Sequence, residues 1–369
     1  MAKLGLPYLH VRFTEQGIAR IKRSLRGIVA LVVQEKSLKG NYNIYTSSDI
    51  PKDLSEKNRK QVELTLMGYQ RTPKKIVLVV EQSETADKPK FDVTTEAFKY
   101  LETVRWDYLA VPFADEVDSE NIATWVKTLN DNRDKRCKFV AANINADNKK
   151  IINYTMPSVT TRDGEYKANE YTSRIAGLIA GTPMQIACTY APLPELKACT
   201  HYTQEEIADK IGKGELVLLN DGEKIKIARG VNSLVTTSQI EGESFRKIKI
   251  VDIMDAMADD IQWAAQDSYI GKYANSYDNK VKLMSAILGY MEVLEKDGLL
   301  AKGSLRVEID IDAQKAFLKS MGYETIDKRT VDEMDLKEIK EADTKDKVFI
   351  VAYCKILDAI EEIKLNVVI

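Results

Sequence analysis

Two apolar runs constrain this chain most. After Gly27 come Ile28, Val29, Ala30, Leu31, Val32 and Val33 without a polar break, and Lys75 opens a second run of Ile76, Val77, Leu78, Val79 and Val80. A strand with one wet face alternates between apolar and polar. An unbroken, largely β-branched run belongs to a strand covered on both faces, the habit of parallel sheets flanked by helices. The intervening and following segments supply those helices. Residues 58–68 read as a short helix. Residues 94–104 place Ala97, Phe98, Leu101 and Val104 on one helical face, and residues 119–129 do the same with Ile122, Trp125, Val126 and Leu129, with Ser119 as the expected N-cap. Residues 108–112, 138–142 and 151–154 read as strands. The expected fold class is α/β, mixed with α+β features, with some parallel pairing.

The second half is more helical. Residues 169–182 form a helix with two kinds of face. Ile175, Leu178 and Ile179 are apolar, whereas Ala176, Gly177, Ala180 and Gly181 leave the backbone open to close approach, and Pro183 ends the helix. Pro192 and Pro194 mark an extended connection and a candidate domain boundary. A short helix follows at 204–212, then a hairpin around Asn220-Asp221-Gly222-Glu223. Two long amphipathic helices carry Ile250, Ile253, Met254, Met257 and Ile261, then Met284, Ile287, Leu288, Met291 and Leu294, with Gly298 as a stop. Leu305, Val307, Ile309 and Ile311 alternate as a strand. Residues 327–346 are dense in charge of both signs, with Leu336 and Ile339 as large aliphatics, and read as a solvated loop. Residues 348–353 read as a buried strand. Both ends of the chain carry a period-2 pattern with no turn or partner strand beside it: Leu9, Val11 and Phe13 alternate with Tyr8, His10 and Arg12, and Ile363, Leu365, Val367 and Ile369 with Lys364 and Asn366. An apolar strand placed there is an edge of its own sheet or is offered to another molecule.

Chemistry is scarce. With 369 residues, 44% hydrophobic and 30% charged, the chain reads as globular, and a net charge of −2 gives no basic excess for nucleic acid or a membrane surface. Four scattered cysteines suggest reduced thiols. Residues 1–7 lack a signal-peptide core, and the longest apolar run, near 175–187, is too short to span a bilayer, so cytoplasmic synthesis without membrane insertion is expected. Neither His10 nor His201 has a metal or catalytic partner at useful spacing. Gly212-Lys213-Gly214 lacks the spacing of a phosphate loop and reads as a helix end. Asp310 and Asp312 share a strand face and Asp259-Asp260 a helix, and both pairs read as solvated. No catalytic, cofactor or metal site is expected.

Ordered motifs carry a resemblance. Arg174-Ile175-Ala176-Gly177-Leu178-Ile179-Ala180-Gly181-Thr182-Pro183, Leu218-Leu219-Asn220-Asp221-Gly222, Ile227-Ala228-Arg229-Gly230-Val231-Asn232, Phe245-Arg246-Lys247-Ile248, Ile270-Gly271-Lys272 and Leu357-Asp358-Ala359-Ile360-Glu361 together resemble contractile tail sheath proteins, of the short type found in myophage-like prophages and R-type bacteriocins. The likeness covers most of 150–369 and, in weaker form, 5–33. It implies a structural subunit that stacks helically around a tail tube and contracts to drive the tube through a cell envelope. It implies further copies of itself, a tail tube protein, and baseplate and tail terminator proteins as partners, in a phage or phage-like particle. It implies inter-subunit strand arms at Tyr8, Leu9, Val11, Phe13, Ile363, Leu365, Val367 and Ile369, hinged at 14–17 and 357–362. The expected organisation is an arm at 1–20, an α/β region at 21–150, a main body at 151–355 and a linker with strand arm at 356–369. The alternatives are a strand-exchanging tube or baseplate protein, and a soluble α/β enzyme with an unrecognised site.

Overall fold

A computed structural model of the chain describes residues 21–24, 26–86 and 88–368. They form two compact units. One is built from Arg23–Asp259, Asp297–Ala301 and the segment from Ile356 onward, the other from Asp260–Lys296 and Lys302–Lys355. The first contains β1 (Ile28–Glu35), β2 (Gly40–Ile44), α1 (Glu56–Leu66), β3 (Lys75–Gln82), α2 (Glu96–Thr103), β4 (Tyr108–Ala110), α3 (Glu116–Arg133), β5 (Lys138–Ala142), β6 (Ile151–Tyr154), β7 (Ser158–Thr161), β8 (Glu165–Lys167), α4 (Ala168–Ala180), β9 (Leu196–Cys199), α5 (Gln204–Gly212), β10 (Glu215–Leu216), β11 (Leu218–Asn220), β12 (Ile225–Ile227) and the start of α6 (Ile248–Ser268).

Seven strands pair in the order β10-β6-β5-β4-β1-β3-β2, and only β2 runs antiparallel to its neighbour. The two apolar runs lie side by side, Ile28 opposite Lys75 through Glu35 opposite Gln82. Successive side chains point to opposite faces, and both faces are dry. Val29, Leu31, Val33, Ile76, Leu78 and Val80 share a core with α1 and α4, while Ile28, Ala30, Val32, Val77 and Val79 share one with α2 and α3. Trp106 and Trp125 stack within the second core, 6.1 Å between centroids. Helix α3 starts earlier than expected, because the Asp115 carboxylate, not Ser119, caps it by accepting from the Asp118 amide at 2.8 Å. The boundary expected at 150 falls between β5 and β6, which are paired neighbours. The connection at 190–194 is also internal, since the Leu193 amide donates to the Ile225 carbonyl at 2.8 Å.

The second unit contains α7 (Tyr277–Lys296), β13 (Arg306–Ile309), α8 (Ile311–Ser320), α9 (Leu336–Glu341) and β14 (Ile350–Tyr353). The strand expected to run to Ile311 stops at Ile309, because Asp310 caps α8 by accepting from the Ala313 amide at 2.9 Å. Asp310 and Asp312 are therefore a cap and a first-turn residue, not a pair on a strand face. The charged stretch 327–346 is not a solvated loop. Val331, Met334, Ile339 and Ala342 close a small core on Leu318, with Leu336 left exposed. The strand expected to be buried, β14, pairs with β13 alone among the described residues, with Ile350 and Val351 half-exposed and Ala352 and Tyr353 exposed.

The carboxylates of α6 also depart from the solvated reading. Asp252, Asp255 and Asp259 share one helical face and meet the N-terminal edge of the sheet, where Arg26, Tyr108, Lys138 and Lys150 precede or open their strands. Lys138 Nζ lies 2.6 Å from Asp255 and 2.9 Å from Asp252, Lys150 pairs with Asp255, and Tyr108 donates to Asp252. Asp259 takes Arg26 at 2.7 Å and Arg136 at 2.9 Å. Asp260, in the second unit, accepts from Tyr290 at 2.7 Å. Burial would raise the Asp255 pKa, but Lys138 and Lys150 beside it hold it at about 2.

Asp255→Ala leaves two buried ammonium groups without their shared partner, so it should cost about 3 kcal/mol or more in urea unfolding at pH 7. A carboxylate with a depressed folded pKa stabilises above its unfolded value, about 3.9, and loses that contribution as pH falls through the folded value. The gap between variant and native sequence should therefore shrink between pH 4 and pH 2, and a gap unchanged over that window would contradict the assignment.

Candidate functional site

The motif helix α4 is a device of the fold. Arg174 is buried, with Nε donating to Glu195 at 2.6 Å and Nη1 to the Gly68 carbonyl at 2.8 Å, and Tyr171 donates to the same Glu195 carboxylate at 2.7 Å. Ala176 is fully buried. A Cβ at Gly177 would lie 2.1 Å from the Thr65 carbonyl oxygen, and one at Gly181 would lie 2.1 Å from that of Arg71. The partner expected to approach the small face is therefore α1 and the loop after it, in the same unit. The Ala180 carbonyl crowds Gly27, whose φ of +84° also requires glycine.

The arm residues divide by where they lie. Tyr8, Leu9, Val11, Phe13, the hinge at 14–17 and Ile369 fall outside the described residues. Ile363, Leu365 and Val367 are 82%, 82% and 69% exposed, and residues 357–368 join no strand among the described residues. An alternating apolar segment is thus held in water without a sheet.

Its root is held differently. Ile356 bridges Leu300, and the Leu357 amide donates to the Leu299 carbonyl at 2.8 Å. Glu361 then turns into the body, its side chain only 8% exposed. One carboxylate oxygen accepts from Thr189 Oγ1 at 2.6 Å. The other accepts from Arg229 Nε at 2.9 Å and lies 2.8 Å from Arg229 Nη2 and 3.2 Å from Lys247 Nζ. Lys247 also pairs with Asp358. Burial would raise the Glu361 pKa, but the bonds from Thr189, Arg229 and Lys247 hold it below the usual carboxylate value. Gly230 makes this geometry available. A Cβ there would lie 2.7 Å from Cys188 Sγ, and its amide donates to Thr189 Oγ1 at 2.9 Å, aiming the hydroxyl at Glu361. Residues 357–362, expected to be a free joint, are tied at Leu357, Asp358 and Glu361.

Sequence reasoning assigns no role to Thr189, Arg229 and Lys247 and places Glu361 in a hinge. Three of them sit inside the motifs 227–232, 245–248 and 357–361, each a charge in an apolar setting, but spacing gives no hint that they meet. At the carboxyl end of β1, Asn58 Nδ2 donates to the Gln34 carbonyl at 2.7 Å and to Glu35 at 2.8 Å. His201 is exposed. Among the described residues no cluster of His, Cys, Asp or Glu is arranged to hold a metal, and no helix is long and apolar enough to cross a membrane.

Comparison with known proteins bears on this arrangement. Residues 86–233 match the family model of the phage tail sheath protein central domain, and 241–369 that of the phage tail sheath C-terminal domain. A tail sheath protein of Clostridium phage phiCD119 is 35% identical over 365 residues, covering 98% of this chain and 99% of that one. Among solved structures, the helical sheath of the anti-feeding prophage in its contracted state superposes with a TM-score of 0.68 at 15% identity, over 99% of both chains. A sheath tail protein of Desulfitobacterium hafniense does so at 0.66 and 15% identity, over 82% of this chain and 94% of that one.

Gly177→Ala forces a methyl group against the α1 backbone and should destabilise the larger unit by about 3 kcal/mol, the upper end of overpacking costs. Chemical denaturation at constant slope measures it; a change under about 0.5 kcal/mol, the scatter of neutral surface substitutions, would mean that α4 can slide away.

Proposed function

The chain belongs to the phage tail sheath family, as a structural subunit of a contractile sheath rather than an enzyme, and from this we propose that its C-terminal arm joins it to further copies of itself by β-strand addition. The observation that carries the reading is the segment 363–368, apolar on alternate residues, exposed and unpaired. Such a segment supplies main-chain bonds to an open sheet edge and buries every second side chain.

The sheet best suited to receive it is β13–β14. Its two strands pair only with each other among the described residues, so each has one open edge, and a two-stranded sheet is marginal alone. Val307, Ile309, Ile350 and Val351 give it apolar character, with Ile309 buried and the other three half-exposed. Three other edges are blunted. Strand β10 is two residues long, β2 carries Gly40, Asn41 and Asn43, and β8 is Glu165-Tyr166-Lys167. A contact between unlike surfaces of identical subunits, repeated with a rotation that does not close, builds an open helix. The arm at Tyr8, Leu9, Val11 and Phe13 would add a second strand of the same kind. A tail tube protein within the helix, and baseplate and tail terminator proteins at its ends, complete the proposed assembly in a phage or phage-like tail.

The subunit is expected to form striated cylinders visible by negative stain, and removing residues 363–369 should abolish them while leaving its melting temperature unchanged. Leu365→Asp with Val367→Asp should do the same, because an unpaired carboxylate in a sheet core is costly. Cylinders of normal length from either variant, or a melting temperature lowered as if the subunit had lost a strand of its own, would overturn the reading.

A further inference from the structure

We propose that the cluster of Glu361 with Thr189, Arg229 and Lys247 is the fixed pivot of the C-terminal arm, so that the chain up to Glu361 moves as part of the body and only the residues beyond it swing. The inference deepens the strand-addition reading and rests on it for its consequence in assembly, although the pivot itself is a property of one chain.

Four remote segments build the cluster. Thr189 follows α4, Arg229 follows β12, Lys247 immediately precedes α6, and Glu361 lies 172, 132 and 114 residues beyond them respectively. All four belong to the same compact unit. The cationic side is itself fixed. The Ile248 amide donates to the Gly230 carbonyl at 3.1 Å, which ties the residue after Lys247 to the residue after Arg229. Upstream, Leu357 and Ile356 are bonded to residues 299–300. Downstream the contrast is sharp. Glu362 reaches Arg229 only at 3.6 Å, and Ile363, Leu365, Val367 and Val368 are all largely exposed.

Charge chemistry explains why this spot holds. Glu361 is sheltered, so its leaving the cluster would take from Arg229 its close carboxylate partner and leave Lys247 to Asp358 alone, whereas leaving costs the apolar residues beyond it nothing within the single chain. Two Arg229 nitrogens converging on one Glu361 oxygen also fix direction, which a lone lysine would not. Moving the pivot from Leu357 to Glu361 shortens the free lever by four residues, about 13 Å at ~3.3 Å per residue. A receiving sheet must therefore come closer than a free linker would require. The fixed exit also sets which face Ile363, Leu365 and Val367 present, and a slip of one residue would turn them to the wrong side.

The test places a nitroxide at position 360 or 366 of the full-length chain, through Ile360→Cys or Asn366→Cys in a background with Cys199→Ser and Cys354→Ser, at dilutions where no cylinders form. Both labelled positions lie on exposed side chains, and Cys137 and Cys188 are buried from the reagent. The label at 360 should be immobilised and the one at 366 mobile. Glu361→Gln should bring the label at 360 to the mobility seen at 366, and Arg229→Glu combined with Glu361→Arg should restore immobilisation. Equal mobility at 360 and 366 in the native background, or no response to Glu361→Gln, would overturn the pivot. In assembly, Glu361→Gln should cut cylinder yield at least tenfold with an unchanged melting temperature, and a native yield would overturn the role assigned to it there. Cylinders from the chain lacking 363–369 would instead sink strand addition and leave the label result standing.

Discussion

The face of α6 that carries Asp252, Asp255 and Asp259 ties that helix to the start of the sheet and, with it, sets the place of the arm root. Parallel strands all start at one edge of the sheet, and there Arg26, Lys138 and Lys150 collect positive charge that a helix bearing carboxylates on successive turns can match. Buried ion pairs of this kind add little net stability, because desolvation cancels much of the attraction, but they tolerate few alternative arrangements. Docking α6 in one pose places Lys247, the residue before it, beside Arg229, and the pair awaits Glu361. The position of the arm root is thus set by the same helix that leads the chain from the sheet-bearing unit into the second one.

Much of the layered unit is legible because its signals are local. Ile28–Glu35 and Lys75–Gln82 are apolar without interruption for a reason that survives any context: both of their faces are covered. The small face of α4 also reads correctly as a place of close approach, though not what approaches, since Thr65 and Arg71 lie over 100 residues away. The departures share a cause. Polarity alone sends Asp310 and the acids of α6 to solvent and passes over Asp115, whereas the amide or cation within reach decides where each of them lies. A carboxylate at a helix start stops a strand, as Asp310 does after Ile309, and period-2 reading alone runs past it. The charged stretch 327–346 hides Val331 and Met334, which bury it on Leu318.

The arm illustrates the limit of periodicity. Alternation at Ile363, Leu365 and Val367 says that a sheet wants the segment, and the structure finds no sheet for it within the described residues. The charged residues just before it, Asp358 and Glu361, read as part of a hinge and are instead where the segment is fastened. Nothing in the spacing of Thr189, Arg229, Lys247 and Glu361 announces their meeting, because a cluster drawn from four remote segments exists only once β12, α4 and α6 are in place.

The two ends of this short stretch rely on different physics, and the difference suits a subunit that must move without letting go. A β-ladder is bonded along its length and tolerates being carried as a rigid piece, since its donors and acceptors are internal to the pairing. An ion cluster such as that at Glu361 is directional and short-ranged, so it holds a point rather than a surface. Joined by one or two residues, they would make, in the proposed assembly, a hinge with two firmly held leaves: the cluster on the body, the strand on a partner sheet. Rotation is then confined to the backbone between Glu361 and Ile363, where no side chain has a fixed partner to lose apart from the distant Glu362–Arg229 contact. A longer free linker would permit the same rotation but would not transmit displacement from one body to the next, because slack absorbs it. In the proposed assembly the clamp, by removing that slack, would let motion of one subunit become motion of its neighbour.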